Sequence, residues 1–221
     1  MAGEPTTTPM RIGIIGTGNI GSALAELWVG AGHTVFMSSR HPEELAPLAE
    51  QLGERAQAGT VQEAAEFGDI ILLSVPYAAT PQIGRDFARE LAGKIVVDTG
   101  NPVARRDGDM AGPALAKSTG VSSQEFLPRT RVVRAFNCIG FRTLRSEAHR
   151  KGERIAIPLA GDDGYALAMA QLLVTDAGFD GVIVGGLASS RLFELGKPLA
   201  AGDFTASEMK SMLNEYYINN Q

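Results

Sequence analysis

An α/β fold with a doubly wound parallel sheet is what this sequence predicts, and three observations predict it. Short apolar runs alternate with helix-forming segments along roughly the first hundred residues. Some runs, such as Ile70-Ile71-Leu72-Leu73, are apolar at every position, which suits strands covered on both faces. A glycine-rich turn, Gly16-Thr17-Gly18-Asn19-Ile20-Gly21, stands where the first strand gives way to the first helix. Strands alternating with helices then imply parallel pairing through crossovers.

The elements follow in order. Met1 to Pro9 is a polar leader with no apolar signal core. Arg11 to Ile15 is a β-rich run, Ile20 to Val29 has apolar residues at helical spacing, and Gly30 to Gly32 stops that helix. Thr34 to Met37 resumes a strand. Pro42 to Leu52 reads as a helix entered through a proline. Arg55 to Ala58 is a short strand, Val61 to Phe67 a helix, and Asp69 to Val75 a near-continuous apolar run. Pro81 to Leu91 is helical and Lys94 to Asp98 is a strand. From Gly100 to Arg131 the pattern loosens into a long loop with one or two short helices, one over Ser122 to Leu127. Val132 to Asn137, Ile155 to Ala160 and Val182 to Val184 are further strands. Asp163 to Ala177, Ala188 to Leu195 and Ala206 to Tyr217 are helical. In the last of these, Met209, Met212, Leu213, Tyr216 and Tyr217 form a stripe for core packing, with a homodimer face as the alternative. No linker divides the chain. The expected organisation is a dinucleotide-binding domain over 1–140 and a small C-terminal α/β extension over 141–221, continuous with the same sheet and sharing its cleft.

Composition narrows the functional classes. The 221 residues are 44% hydrophobic and 20% charged, as in ordinary globular proteins. The lone Cys138 permits no internal disulfide and fits a cytoplasmic location. No apolar run is long enough to span a membrane. A net charge of −5 argues against nucleic-acid binding. The three histidines, His33, His41 and His149, lack metal-ligand spacing, and there is no Gly-x-Ser-x-Gly nucleophile turn. Cys138 sits in an apolar run and reads as an inert core thiol. Lys197 and His149 are the candidates for a proton donor to a substrate oxygen, without supporting context.

The glycine turn carries the chemistry. Gly16 permits the tight turn, Gly18 lets a pyrophosphate approach the backbone, and Gly21 lets the helix pack on the sheet. The helix N-terminus offers unpaired N–H groups to the phosphates. The second strand ends Met37-Ser38-Ser39-Arg40-His41, with no carboxylate before Glu43. Arg40 can pair with a 2′-phosphate and Ser39 can donate to it, so NADP(H) is expected over NAD(H), by at least about tenfold in affinity. Glu43 and Glu44 follow closely and would weaken that preference. Ser74-Val75-Pro76 and Asn101-Pro102 end two later strands and are expected to complete the cleft, Asn101 on the nicotinamide side. Ordinary turn chemistry explains those two strand ends equally well.

Taken in order, the fingerprint, Ser39-Arg40, Asp98-Thr99-Gly100-Asn101-Pro102, Ala135-Phe136-Asn137-Cys138-Ile139, Ala160-Gly161-Asp162-Asp163 and Gly185-Gly186-Leu187-Ala188-Ser189-Ser190-Arg191-Leu192 resemble the coenzyme F420-dependent NADP oxidoreductase family. The oxidoreductase domain of the STEAP metalloreductases is similar. The resemblance runs from about Arg11 to about Leu199. It implies a Rossmann-type domain with a small C-terminal part. Thr17, Ser39 and Arg40 would hold the 2′-phosphate, and Asn101, Pro102 and Ala135 would lie near the nicotinamide. Asn137, Ile139, Gly186 and Leu187 would line a pocket for a small-molecule electron acceptor, F420 or a flavin. Asn137 departs from the histidine of archaeal F420 enzymes and looks more like the metalloreductase form.

Hydride transfer between two rings asks the protein for positioning more than for acid–base groups. Alternatives are a ferric, flavin, imine or carbonyl reductase, and a non-catalytic NADP(H) sensor. Arg129, Arg131, Arg134, Arg142, Arg145, Arg150, Lys151 and Arg154 read as a solvated helix and loop, interrupted by Glu147 and Glu153, with an anion-docking face as the alternative.

Overall fold

The computed structural model describes residues 8–200 and 202–219, so most of the N-terminal leader lies outside the described residues. The strands are β1 (Arg11–Ile15), β2 (Thr34–Ser38), β3 (Ala56–Gly59), β4 (Ile70–Leu73), β5 (Ile95–Asp98), β6 (Arg131–Arg134), β7 (Ala156–Gly161) and β8 (Asp180–Gly185). Among the described residues they form one sheet in the order β3-β2-β1-β4-β5-β6-β7-β8. The first six strands pair in parallel in the doubly wound order of dinucleotide-binding folds. β7 runs antiparallel to β6, and β8 is parallel to β7. The direction reverses once, at the start of the C-terminal part.

The helices are α1 (Asn19–Gly30), α2 (Ala46–Leu52), α3 (Val61–Phe67), α4 (Thr80–Asp86), α5 (Ala104–Asp107), α6 (Ala111–Lys117), α7 (Thr119–Phe126), α8 (Phe141–Glu147), α9 (Gly164–Asp176) and α10 (Ala206–Asn219). β4 and β5 are buried at every position, as continuous apolar runs demand. Lys94 caps the C-terminal end of α3, its ammonium donating to the carbonyls of Ala65, Glu66 and Gly68.

Trp28 ties the C-terminal part to the first helix. It is fully buried, packs edge-on against Phe136, and donates its indole N–H to Leu173 O at 2.9 Å. Beside it, buried His33 receives Met10 N–H on Nδ1 at 3.1 Å, which leaves Nε2 to donate to Asp176 at 3.1 Å.

Several elements differ from the expectation. Pro42 to Leu52 is a 3-10 turn, Pro42–Leu45, followed by α2, because Pro47 has no N–H to continue the ladder. The fourth helix stops at Asp86. The stretch from Gly100 to Arg131, expected as a loop with one or two short helices, contains α5, α6 and α7, and the helix expected over Ser122 to Leu127 overlaps α7. α7 buries Thr119, Gly120, Ser122 and Ser123, a small polar face with no hydrophobic period to read. β6 ends at Arg134 rather than Asn137, since Phe136 adopts φ 59°, off the extended path. The segment after Gly186 is a 3-10 helix, Leu187–Leu192. α8 lies within the basic stretch read as a solvated helix and loop, where no helix bounds were expected. It packs on α1, and Arg145 makes a two-pronged pair with Glu26. The α10 stripe splits: Met209 and Leu213 are buried, while Tyr216 and Tyr217 are exposed.

Candidate active site

The glycine turn is built before any ligand enters. Gly16 has φ 96°, and a Cβ there would lie 2.4 Å from Ser74 O. The N–H groups of Gly16 and Thr17 both donate to Ser38 O, at 3.1 and 2.9 Å. Thr17 Oγ1 donates to the same carbonyl at 3.2 Å, and Ser38 Oγ donates to Ile14 O at 2.8 Å. The turn is thereby stapled to the end of β2. The hydroxyl proton of Thr17 is spent on that staple, whereas the resemblance assigned the residue to the 2′-phosphate. A Cβ on Gly21 would lie 2.4 Å from Gly16 O, so helix and strand need that glycine to approach.

Gly18 is different. A Cβ there would meet nothing within 4 Å. Gly18 is the N-cap of α1, which has no side-chain cap and no acidic residue in its first turn. The protein itself requires Gly16 and Gly21. At Gly18 the protein itself leaves room for a side chain. Asn19 is exposed and Ile20 half-buried against the core. They bring first-turn backbone, not side chains, to that spot.

A cavity of about 620 Å³ opens here, at the carboxyl ends of β1, β2 and β4. Gly16, Thr17 and Gly18 form its floor, Ser39, Arg40, His41 and Glu44 one wall, and Ser74, Val75 and Pro76 the other. This is the switch point of the strand order, where α/β sheets bind ligands. Arg40 is exposed, and among the described residues its guanidinium has no hydrogen-bond or ion-pair partner. Ser39 Oγ accepts from His41 N–H at 3.0 Å and keeps its own proton to donate. A larger opening, about 680 Å³, lies at the amino ends of the strands, lined by Met10, Asp69, Ile95 and Arg131, the end of an α/β sheet where ligands do not collect.

The ends of β5 and β6 carry the remaining candidates. With strands about 4.8 Å apart, β6 ends roughly 14 Å from β1 across the cleft. Asn101 Nδ2 donates to Asn137 O at 2.7 Å, and Asn137 Nδ2 donates to Phe193 O at 2.8 Å. The two asparagines are thus brought together. Asn137 is 5% exposed, and its Oδ1 has no partner among the described residues. Pro102 and Ala135 are buried and do not line the cavity. Ile139 and Leu187, expected to line the acceptor pocket, have their side chains in core clusters, Ile139 in the loop after β6 and Leu187 at the start of the 3-10 helix. The half-buried Gly186 lies beside Asp162, whose carboxylate accepts Leu187 N–H at 2.8 Å.

Under these strand ends lies a buried polar network that the sequence reading missed. Arg134 and Asp98 are fully buried and paired at 2.7 Å. Arg134 also donates to Asp98 O and Gly100 O, while Asp98 accepts from Gly100 N–H and Ser123 Oγ. Tyr77 donates to Thr119 O at 3.2 Å, and burial pushes its hydroxyl up to about 12. Buried Glu194 accepts Thr119 N–H at 2.6 Å and Thr119 Oγ1 at 2.9 Å, holding the start of α7. Asp107 fastens Ala78 N–H and Val103 N–H, which joins the loops after β4 and β5. A signal existed in Arg134, a charge inside the apolar run Val132-Val133-Arg134-Ala135-Phe136, but it had been counted with the basic stretch. That stretch is not one solvated face: Arg134 is internal, Arg145 is paired with Glu26, and Arg150 donates to Glu153 O.

Burial pushes the Cys138 thiol up to about 12, which keeps it protonated. Among the described residues no group of three His, Cys, Asp or Glu could hold a metal ion, and no helix is long and apolar enough to cross a membrane.

Comparison with known proteins gives the same placement. Residues 11–102 match the family described as NADP oxidoreductase, coenzyme F420-dependent. The chain is 30% identical over 201 residues to Metalloreductase STEAP3 of Rattus norvegicus, covering 88% of this chain and 37% of that protein. It therefore spans little more than a third of the metalloreductase. It is 28% identical over 207 residues to F420-dependent NADP reductase of Methanocaldococcus jannaschii, covering 87% of this chain and 92% of that one. A crystal structure from Sinorhizobium meliloti, of a protein without assigned activity, superposes with a TM-score of 0.77 at 28% identity, over 89% of this chain and 95% of that one.

Proposed function

We propose that this chain, whose residues 11–102 belong to the coenzyme F420-dependent NADP oxidoreductase family, transfers hydride between NADPH and a flat, flavin-like acceptor such as coenzyme F420. The observation that carries the cofactor half of this reading is Gly18, open to the cavity where both neighbouring glycines are filled by the protein. Bound NADPH supplies the hydride. The residues of this chain orient it. The first turn of α1 receives the pyrophosphate on its backbone N–H groups. Arg40 and Ser39 take the 2′-phosphate, Arg40 as an uncommitted cation and Ser39 as a donor. Ser74, Val75 and Pro76 form the wall toward the nicotinamide, and the Asn101–Asn137 pair stands one and two strands further on, on the acceptor side.

Hydride transfer between two rings asks this chain for positioning rather than for a proton carrier. A relative named for F420 is 28% identical to this chain over 207 residues, which supports F420 as the acceptor. A cytoplasmic location goes with this reading, since the single thiol fits a reducing compartment.

The test is NADPH oxidation by purified protein with F420, FMN, FAD or a ferric chelate as acceptor. Turnover with F420 well above the others is expected. Turnover only with flavins or ferric chelate would move the chain toward the metalloreductases. Tight NADPH binding without turnover on any acceptor would make it a sensor.

A further inference from the structure

The cavity wall at the end of β2 carries two uncommitted charges of opposite sign. Arg40 is one. Glu44 is the other: it lines the same cavity, and among the described residues its carboxylate has no hydrogen-bond or ion-pair partner. Its position is fixed by the 3-10 turn Pro42–Leu45, in which Glu44 N–H donates to His41 O at 3.1 Å. Glu43, its neighbour, differs. Its carboxylate approaches His41 Nδ1 at 3.5 Å, is 72% exposed, and does not line the cavity. The sequence offered two adjacent glutamates that would oppose a phosphate. The fold turns one of them toward the site and the other away from it.

A site made only for a 2′-phosphate has no use for a free carboxylate on its wall, since that charge repels the ligand. A carboxylate there has one good partner, a ribose 2′-hydroxyl, which donates to it. We propose that Glu44 makes this a site for both nicotinamide dinucleotides: Arg40 draws the 2′-phosphate of NADPH, and Glu44 accepts from the 2′-hydroxyl of NADH while opposing that phosphate. The inference rests on the dinucleotide reading above and names the residue that sets its strictness. Removing the charge at Glu44 therefore moves the two affinities in opposite directions, which a general change in surface charge does not do.

Calorimetric titration of the whole chain with NADPH and with NADH tests this on wild type, Glu44→Gln and Glu43→Gln. In Glu44→Gln the ratio of the NADH Kd to the NADPH Kd is expected to rise about threefold or more, NADPH tightening and NADH weakening. The rise should shrink as salt is raised, because both charges are exposed. Glu43→Gln should leave the ratio where it is. An unchanged ratio in Glu44→Gln, or an equal change in Glu43→Gln, would overturn the assignment while leaving dinucleotide binding intact. Wild type that binds neither nucleotide would overturn both this and the reading beneath it.

Discussion

The two halves of the cleft are built on opposite plans. At the ends of β1, β2 and β4 several polar groups are left open among the described residues: first-turn N–H groups of α1 have no side-chain cap, Arg40 and Glu44 have no side-chain partners, and a Cβ on Gly18 would meet nothing. At the ends of β5 and β6 nearly every polar group is already spent. Asp98, Arg134, Ser123, Tyr77, Thr119 and Glu194 are bonded to one another out of solvent, with Arg134 Nε left without a partner among the described residues. The first half is exposed, so its charges can stand without partners at little cost. Those of the second half cannot, because a buried charge without its partner costs several kcal/mol. The first half should therefore answer mutation with lost binding and the second with lost stability.

The largest effect should come from Arg134→Met. It leaves Asp98 buried without its cation, and urea unfolding should show a loss of about 3–5 kcal/mol. Retention of wild-type stability would mean the two halves are not different in kind. A sharper contrast lies within the glycine turn. Gly21→Ala forces a Cβ against Gly16 O and should cost about 1–3 kcal/mol of stability. Gly18→Ala should leave the unfolding midpoint alone and weaken NADPH about tenfold. Equal destabilisation by both would remove the distinction between a glycine the fold needs and one the ligand needs.

Arg40→Ala should cost about 1.4 kcal/mol of NADPH affinity, tenfold, with stability within about 0.5 kcal/mol of wild type. The smallest effect concerns His33, at the opposite ends of the strands, which serves as a control for both halves. Burial holds its pKa below the usual 6.5 in the folded state. The unfolded chain therefore takes up that proton first. The contribution of neutral His33 is fully present above pH 6.5 and is lost as pH falls through the lowered folded value. His33→Gln should flatten the fall in stability below pH 6.5 without changing NADPH affinity, and an unaltered pH profile would show that other groups govern it.

The same contrast explains what was legible beforehand. The β2–β1–β4 half is encoded in contiguous residues, the turn Gly16 to Gly21 and the strand end Ser39-Arg40, so a short motif suffices to find it. The β5–β6 half is assembled from Asp98, Ser123, Arg134 and Glu194, which lie far apart along the chain and meet only through the sheet order and α7. α7 was legible only over Ser122 to Leu127, since the start of its buried face is Thr119 and Gly120 and carries no apolar period. Ile139 and Leu187 followed the resemblance into a pocket, yet their side chains complete the core.

By itself the sequence determined the strand–helix alternation, the parallel sheet and the phosphate-binding turn, because each depends on local period or on glycines a few residues apart. Only the tertiary structure decided that β7 would reverse against β6, that Arg134 would be a buried cation rather than part of a basic face, and that Glu44 rather than Glu43 would face the cavity. Those outcomes depend on which strand edges meet and which way a single turn rotates, and neither is set by the spacing of residues along the chain.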